Sequence, residues 1–224
     1  MSNYFALFDL DETIVRCKSL IETYRAYCLT ESGEEQFDLS MQKFKKIWGE
    51  GKSREELNRL FYANFSGFSR LKMTSVINKW FSENLKNPDF FNQAVLKELR
   101  QHQKNGATII IISGSFYDCV MPIAAYLNAP DFLSIELESV NDFYTGKITG
   151  IQTIGEGKLA AVHAYAKNLN INPAIIAKGG YAYGDHISDL SFLNFVEHPV
   201  VVGNNQELIA IAQTNHWQVL ESEI

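Results

Sequence analysis

The run YFALF at residues 4–8 has no charged residue to alternate with, and it ends abruptly in two acids, Asp9 and Asp11. An uninterrupted apolar run of this length suits a strand covered on both faces, the environment of a parallel sheet with helices above and below. The next comparable run, Ala107 to Ile112, arrives only after a long interval. Between about Ser19 and Leu85, the segments SLIETYRAYCL, MQKFKKIW, REELNRLFYANF and MTSVINKWF repeat apolar residues at helical spacing among charges. That interval reads as an all-helical insertion returning near Asn87-Pro88.

After the insertion, FFNQAVLKELRQHQKNG is an amphipathic helix stopped by Gly106 and feeding the strand ATIIII. The rhythm then repeats: a helix from about Ser115 to Leu127, a strand within DFLSIEL, and a hairpin turn at Thr145-Gly146 inside FYTGKITGI. A helix over GKLAAVHAYAKNL, a strand in GGYAYGD, and a strand, helix and strand in PVVVG, QELIAIAQT and WQVL complete the chain. The expected fold is α/β, a Rossmann-like doubly wound, mainly parallel sheet with an inserted α-helical cap. Residues 1–16 and 87–224 would form the core and residues 17–86 the cap. At 224 residues such a chain can bury about 70% of its unfolded surface. Ligands of such sheets bind at the carboxyl ends of the strands.

Composition narrows the partners. Twenty basic residues against 26 acidic ones give a formal charge of -6, with no basic run of the kind that binds nucleic acid or an anionic membrane surface. A small-molecule partner is expected, with no nucleic acid and no membrane. Cys17, Cys28 and Cys119 are odd in number and lack a CxxC pair, so they read as reduced thiols rather than a disulfide framework or zinc site. Met1 is followed by SNYFALFDLD, which has no basic start, so no secretory leader is expected. The run Ile109 to Ile112 is too short to span a bilayer, and a cytoplasmic location is expected.

Three polar clusters fall at strand ends: Asp9 with Asp11, Ser113 with Gly114, and Asp185 with Asp189. Singly, each is what helix caps and turns use. Together, with Lys158 at a helix start and in this order, DLDET, ISGS, Lys158 and GDHISD resemble the four motifs of the haloacid dehalogenase superfamily. The chain is similar to its phosphoserine-phosphatase-like subclass (IB), in which a helical cap follows the first motif. The likeness runs from Tyr4 to Leu220 and includes the forms IISGSF, TGKITG and AYGDHISDLSFL, while the cap carries little that matches.

The resemblance implies a Mg²⁺-dependent phosphatase, and the residues suit that chemistry. Asp9 would attack phosphorus and form an aspartyl-phosphate, splitting one hard hydrolysis into two displacements. Asp11, two residues on, would protonate the leaving alkoxide and then activate water. The Ser113 hydroxyl, the Gly114 N–H and Lys158 would hold and neutralise the phosphoryl oxygens. The metal would take Asp9, the Asp11 carbonyl and Asp185, with Asp189 behind it. Thr13 is expected to fix the loop, and His186 stands where it could face the substrate. The aromatics Trp48, Phe61, Tyr62, Phe65, Trp80 and Phe81 read as helical core, from which a cap opposite the site could spare one or two. His102, His163, His198 and His216 have no ligand-like spacing. Where phosphoserine phosphatases are implied to carry a Glu, nine residues after the nucleophile, this chain has Lys18, and Ser188 stands where Asn is frequent. The expected substrate is therefore a small phosphorylated metabolite other than phosphoserine, with a neutral or anionic leaving group. A phosphotransferase using the same intermediate, or a non-catalytic phosphate-binding module, are the alternatives. A phospho-accepting receiver domain would need neither the large cap nor the late GDxxxD.

Overall fold

In the computed structural model, which describes residues 4–221, β1 (Phe5–Asp9) is followed by four helices, α1 (Ser19–Glu31), α2 (Glu34–Trp48), α3 (Arg54–Tyr62) and α4 (Arg70–Asn84). Then come α5 (Gln93–Lys104), β2 (Thr108–Phe116), α6 (Tyr117–Tyr126), β3 (Asp131–Val140), β4 (Phe143–Thr149) and α7 (Glu156–Asn168). The chain closes with α8 (Ala174–Ala177), β5 (Tyr181–Gly184), α9 (Leu190–Leu193), β6 (His198–Val202), α10 (Gln206–Asn215) and β7 (Gln218–Leu220). The outermost core positions, 1–3 and 222–224, lie outside the described residues.

The strands form one sheet in the order β4-β3-β2-β1-β5-β6-β7, parallel except for β4, which runs antiparallel to β3. Successive residues of β1 serve opposite faces, and both faces are apolar. Ala6 and Phe8 pack with Leu96 of α5 and Ile123 of α6, whereas Phe5 and Leu7 pack with Val162 of α7 and Leu208 of α10. This double covering is why the run shows no polar alternation. β1 sits between β2 and β5, and the chain crosses from one side of β1 to the other after β4. Such a switch opens a crevice at the carboxyl ends of these central strands.

The four inserted helices share a third cluster, built on Tyr24, Phe61, Phe65 and Met73, which continues into Phe116, Ile135 and Tyr144 of the sheet. A capping box, in which Ser53 and Glu56 satisfy each other's free N–H groups, starts α3. The segment before α4 is tied to the β3–β4 hairpin by main-chain bonds from Gly67 N–H to the Tyr144 carbonyl (2.8 Å) and from Arg70 N–H to the Asp142 carbonyl (2.7 Å). Arg70 also donates to the Asp118 carboxylate, from Nε at 3.1 and 3.2 Å and from Nη2 at 2.9 Å.

Three details differ from the sequence reading. The hairpin turns at Asn141 and Asp142, with φ of 51° and 69°, rather than at Thr145-Gly146. Two consecutive left-handed residues match the twist of the paired strands. Gly146 instead sits within β4, where a Cβ would lie 3.0 Å from the Ala63 carbonyl oxygen. Secondly, β2 continues through Phe116, with a register shift after Ile112, and α6 begins two residues later than expected. The Ser115 hydroxyl is drawn to Asp11 rather than used as a cap. Thirdly, Phe61, Tyr62, Phe65, Trp80 and Phe81 are buried as expected, but Trp48 is 57% exposed. No described helix is long and apolar enough to cross a membrane.

Candidate active site

Asp9 is the last residue of β1 and Asp185 the first residue after β5, so parallel pairing of the two strands brings the two acids together. Asp189 arrives from the turn that follows, anchored by its bond from His186 N–H at 3.2 Å. Gly184 permits this approach, since a Cβ there would lie 2.8 Å from the Asp189 Cβ. Lys158, the third residue of α7, reaches between them: its Nζ donates to Asp9 Oδ1 and to Asp189 Oδ1, both at 2.5 Å. Lysine, Asp9 and Asp189 are all buried. Thr13 is fully buried and donates to Asp185 Oδ1 at 2.9 Å. It therefore orients an acid from another strand.

Burial is the main force on the charges. It pushes the Asp9 carboxyl well above its usual range, Lys158 opposes it, and Asp189 and Asp185 add to it. Asp185 is raised to about 6, first by burial and then by Asp189, against the bond from Thr13. Burial would lower Lys158, but Asp189 and Asp9 outweigh it and hold the ammonium above the ordinary lysine value. Three carboxylates thus face one ammonium. One oxygen from each of Asp9, Asp185 and Asp189 lies within 4.8 Å of the others. An all-oxygen donor set in which acids outnumber cations fits a hard divalent ion such as Mg²⁺.

Asp11 is held by both oxygens, Oδ1 accepting from Ser19 N–H (2.9 Å) and Oδ2 from the Ser115 hydroxyl (2.7 Å). Burial nevertheless raises its carboxyl above the usual range. Glu12, at φ 64°, turns the chain back after Asp11, and Ile14 and Val15 N–H both bond the Leu10 carbonyl. On β2, the fully buried Ser113 hydroxyl accepts from Ser115 N–H at 3.0 Å. The Gly114 carbonyl accepts from the Tyr62 hydroxyl at 2.9 Å and from Asn58 Nδ2 at 3.3 Å, so α3 grips the end of β2 that carries the motif. A Cβ on Gly114 would lie 2.7 Å from Ile154 Cγ1.

These groups border a cavity of about 260 Å³. Asp9, Asp11, Gly114, Lys158 and Asp189 line one side, and α2 and α3 contribute the other. Lys18 and His186 line it too; Lys18 Nζ lies 3.4 Å from Glu12 Oε2. His186 Nδ1 accepts from Ser188 N–H at 3.0 Å, and burial, then Arg54, lowers its pKa, which favours the neutral imidazole. Ser113 is fully buried and does not line the cavity, and Asp185 opens to an adjoining depression beside Glu12 and Asn204. Ser19 and Asn58 escaped the sequence reading because no local pattern marks them, and Tyr62 was read there as one of the aromatics of the helical core. Ser115 carried a signal as the last residue of SGS.

A probable phosphatase of Mycobacterium tuberculosis is 25% identical over 227 aligned positions, covering 96% of this chain and 74% of that protein. A phosphoserine phosphatase of the same organism is 23% identical, covering 98% and 71%. Among solved structures, a Bordetella pertussis protein of unknown function superposes with a TM-score of 0.88 over all of both chains at 20% identity. A phospho-aspartyl intermediate analogue of phosphoserine phosphatase gives 0.68 at 18% identity, covering 100% of this chain and 95% of that one. These two likenesses establish the fold. Residues 6–194 match the family model described as haloacid dehalogenase-like hydrolase, and the chain belongs to that family of enzymes.

Proposed function

We propose that this hydrolase is a phosphatase of small phosphate monoesters and that Asp9 is its nucleophile. The observation that carries this reading is the buried Lys158 ammonium bonded at 2.5 Å to Asp9, at the carboxyl end of the central strand. Burial alone would favour a protonated, unreactive acid, and the lysine opposes that by favouring the carboxylate. The same ammonium faces the place where phosphoryl charge must be neutralised before an anion can attack. Attack by an Asp9 oxygen forms the aspartyl-phosphate and expels the alkoxide.

Asp11, whose carboxyl is raised by burial, gives the alkoxide a proton and then takes one from the water that hydrolyses the intermediate. Ser113 accepts from Ser115 N–H, which leaves its own proton for a phosphoryl oxygen, and the Gly114 N–H supplies a second donor. Mg²⁺ held by Asp9, Asp185 and Asp189, with the Asp11 carbonyl, would supply charge neutralisation at the phosphoryl oxygens. Residues 17–86 act as a cap over a core of residues 1–16 and 87–224, a division supported by the bonds from Tyr62 and Asn58 to Gly114. The substrate is a small phosphorylated metabolite of the cytoplasm. Lys18 on the cavity wall would repel an ammonium group, which disfavours phosphoserine.

The test is phosphate release from aryl and alkyl monoesters with and without Mg²⁺, in the parent and Asp9→Asn proteins. Turnover should need the cation and disappear in the variant while its fold persists. Undiminished turnover by folded Asp9→Asn protein overturns the assignment. For Lys18, Lys18→Glu should shift kcat/KM towards phosphoserine relative to a phosphorylated hydroxy acid.

A further inference from the structure

The cap side of the cavity is mixed: Arg54 and Asn58 of α3 line it, and beside them stands an apolar patch. That patch is made by Phe44 and Trp48 from α2, with Leu57 and Phe61 from α3 and Ile21 from α1. Phe44 and Trp48 are four residues apart, so they stand on the same helical face. Phe44 meets Trp48 edge-on at 5.9 Å and 75°, and meets Phe61 at 5.2 Å and 84°. Phe61 is buried, yet Trp48 is 57% exposed and contributes an indole to the cavity wall. An aromatic side chain left open at the wall of a site has apolar area still to bury, and ring surfaces favour stacked or edge-on partners.

The size of the space limits what can fill it. About 260 Å³ must hold the phosphoryl group as well as the leaving group. That lies below the roughly 300–1,000 Å³ of pockets for drug-sized ligands, so the leaving group is small, and a single ring fits. Two polar groups of the wall also favour an uncharged leaving group over one that bears an ammonium. The Gly114 carbonyl already accepts two bonds, and the Glu12 carboxylate is paired with Lys18.

We propose that the preferred substrate is a phosphate monoester whose leaving group carries a single planar ring, seated against Trp48, Phe44 and Phe61. This rests on the phosphatase reading above and names its substrate class. Trp48 is a specificity-determining residue that acts by burying the ring and takes no part in bond breaking. Being exposed, it can be replaced with little effect on folding.

The experiment compares benzyl phosphate with propyl phosphate, two esters of primary alcohols whose leaving groups make similar chemical demands. In the parent, kcat/KM should favour the benzyl ester by about tenfold or more, the range that apolar pocket contacts supply. Trp48→Ala should lower kcat/KM for benzyl phosphate by about tenfold while propyl phosphate stays within about threefold, and Trp48→Phe should recover most of the loss. Binding of benzylphosphonate and propylphosphonate, measured calorimetrically with Mg²⁺ present, separates recognition from turnover. A parent that hydrolyses neither ester but binds benzylphosphonate more tightly, through Trp48, supports the ring site and sinks the phosphatase reading. Hydrolysis of both esters without preference, an equal fall for both in Trp48→Ala, or equal binding of the two phosphonates overturns the proposal.

Discussion

Replacing Asp185 by Asn should stabilise the metal-free protein at neutral pH while removing its response to Mg²⁺. Burial and the neighbouring Asp189 raise the Asp185 carboxyl from its ordinary 3.8 to about 6. The native state therefore keeps the proton to higher pH than the unfolded chain does. Stability falls as pH rises through the interval between these values, and above it the full cost of ionising a partly buried acid is present. At about 1.4 kcal/mol for each pH unit, the gap is worth about 3 kcal/mol at pH 7. Asparagine cannot ionise, and its Oδ1 can still accept the bond that Thr13 donates at 2.9 Å. The variant should melt about 6–12 °C higher than the parent at pH 7 without metal, at roughly 2–4 °C per kcal/mol for a chain of this size. Near pH 3.5 the two should converge. Saturating Mg²⁺ should then raise the parent, by about 2.7 kcal/mol at a hundredfold excess over its Kd, and leave the variant nearly unmoved. Thermal melts of both proteins at the two pH values, with and without Mg²⁺, read every part of this. Equal melting temperatures at pH 7 without metal, or a gain that persists undiminished at pH 3.5, would refute the electrostatic reasoning.

Three further outcomes are expected. His102 is buried between the hydroxyls of Tyr4 and Tyr183, each at 2.8 Å, and burial lowers its pKa to about 4. Folding should therefore lose up to about 3 kcal/mol as pH falls from about 6.5 to 4, because only the unfolded chain binds the proton there; His102→Gln should flatten that part of the stability profile. Gly114→Ala should cut kcat/KM at least tenfold, since its Cβ would press on Ile154 Cγ1 at 2.7 Å, and adding Ile154→Ala should restore part of it. Asp11→Asn should slow turnover of an alkyl phosphate by about 10² to 10⁴ and of an aryl phosphate with a good leaving group by much less, measured as steady-state kcat.

Much of the site could be read from the chain because its parts are local signals. Asp9, Ser113 and Asp185 each end or follow an apolar run, and a parallel sheet carries the carboxyl ends of its strands to one edge whatever the rest of the molecule does. Lys158 was marked by its place at a helix start, and the unalternating runs reported a sheet covered on both faces. Helical spacing likewise revealed the four inserted helices. What no local pattern contains is partnership between distant residues. Tyr62 and Asn58 meet the Gly114 carbonyl from more than fifty residues away, and Ser19 was indistinguishable from any helix-start serine until its N–H met Asp11. The hairpin turned at Asn141 and Asp142, while Gly146 lay within β4 close against Ala63. Apolar spacing made Trp48 as plausible a core residue as Phe61, and the packing of α2 against α3 buried one and left the other open at the cavity. Secondary structure and strand-end chemistry follow from short-range sterics and periodicity, which the sequence states outright. Burial, pKa and the shape of the cavity depend on which surfaces meet, and only the tertiary structure decided those.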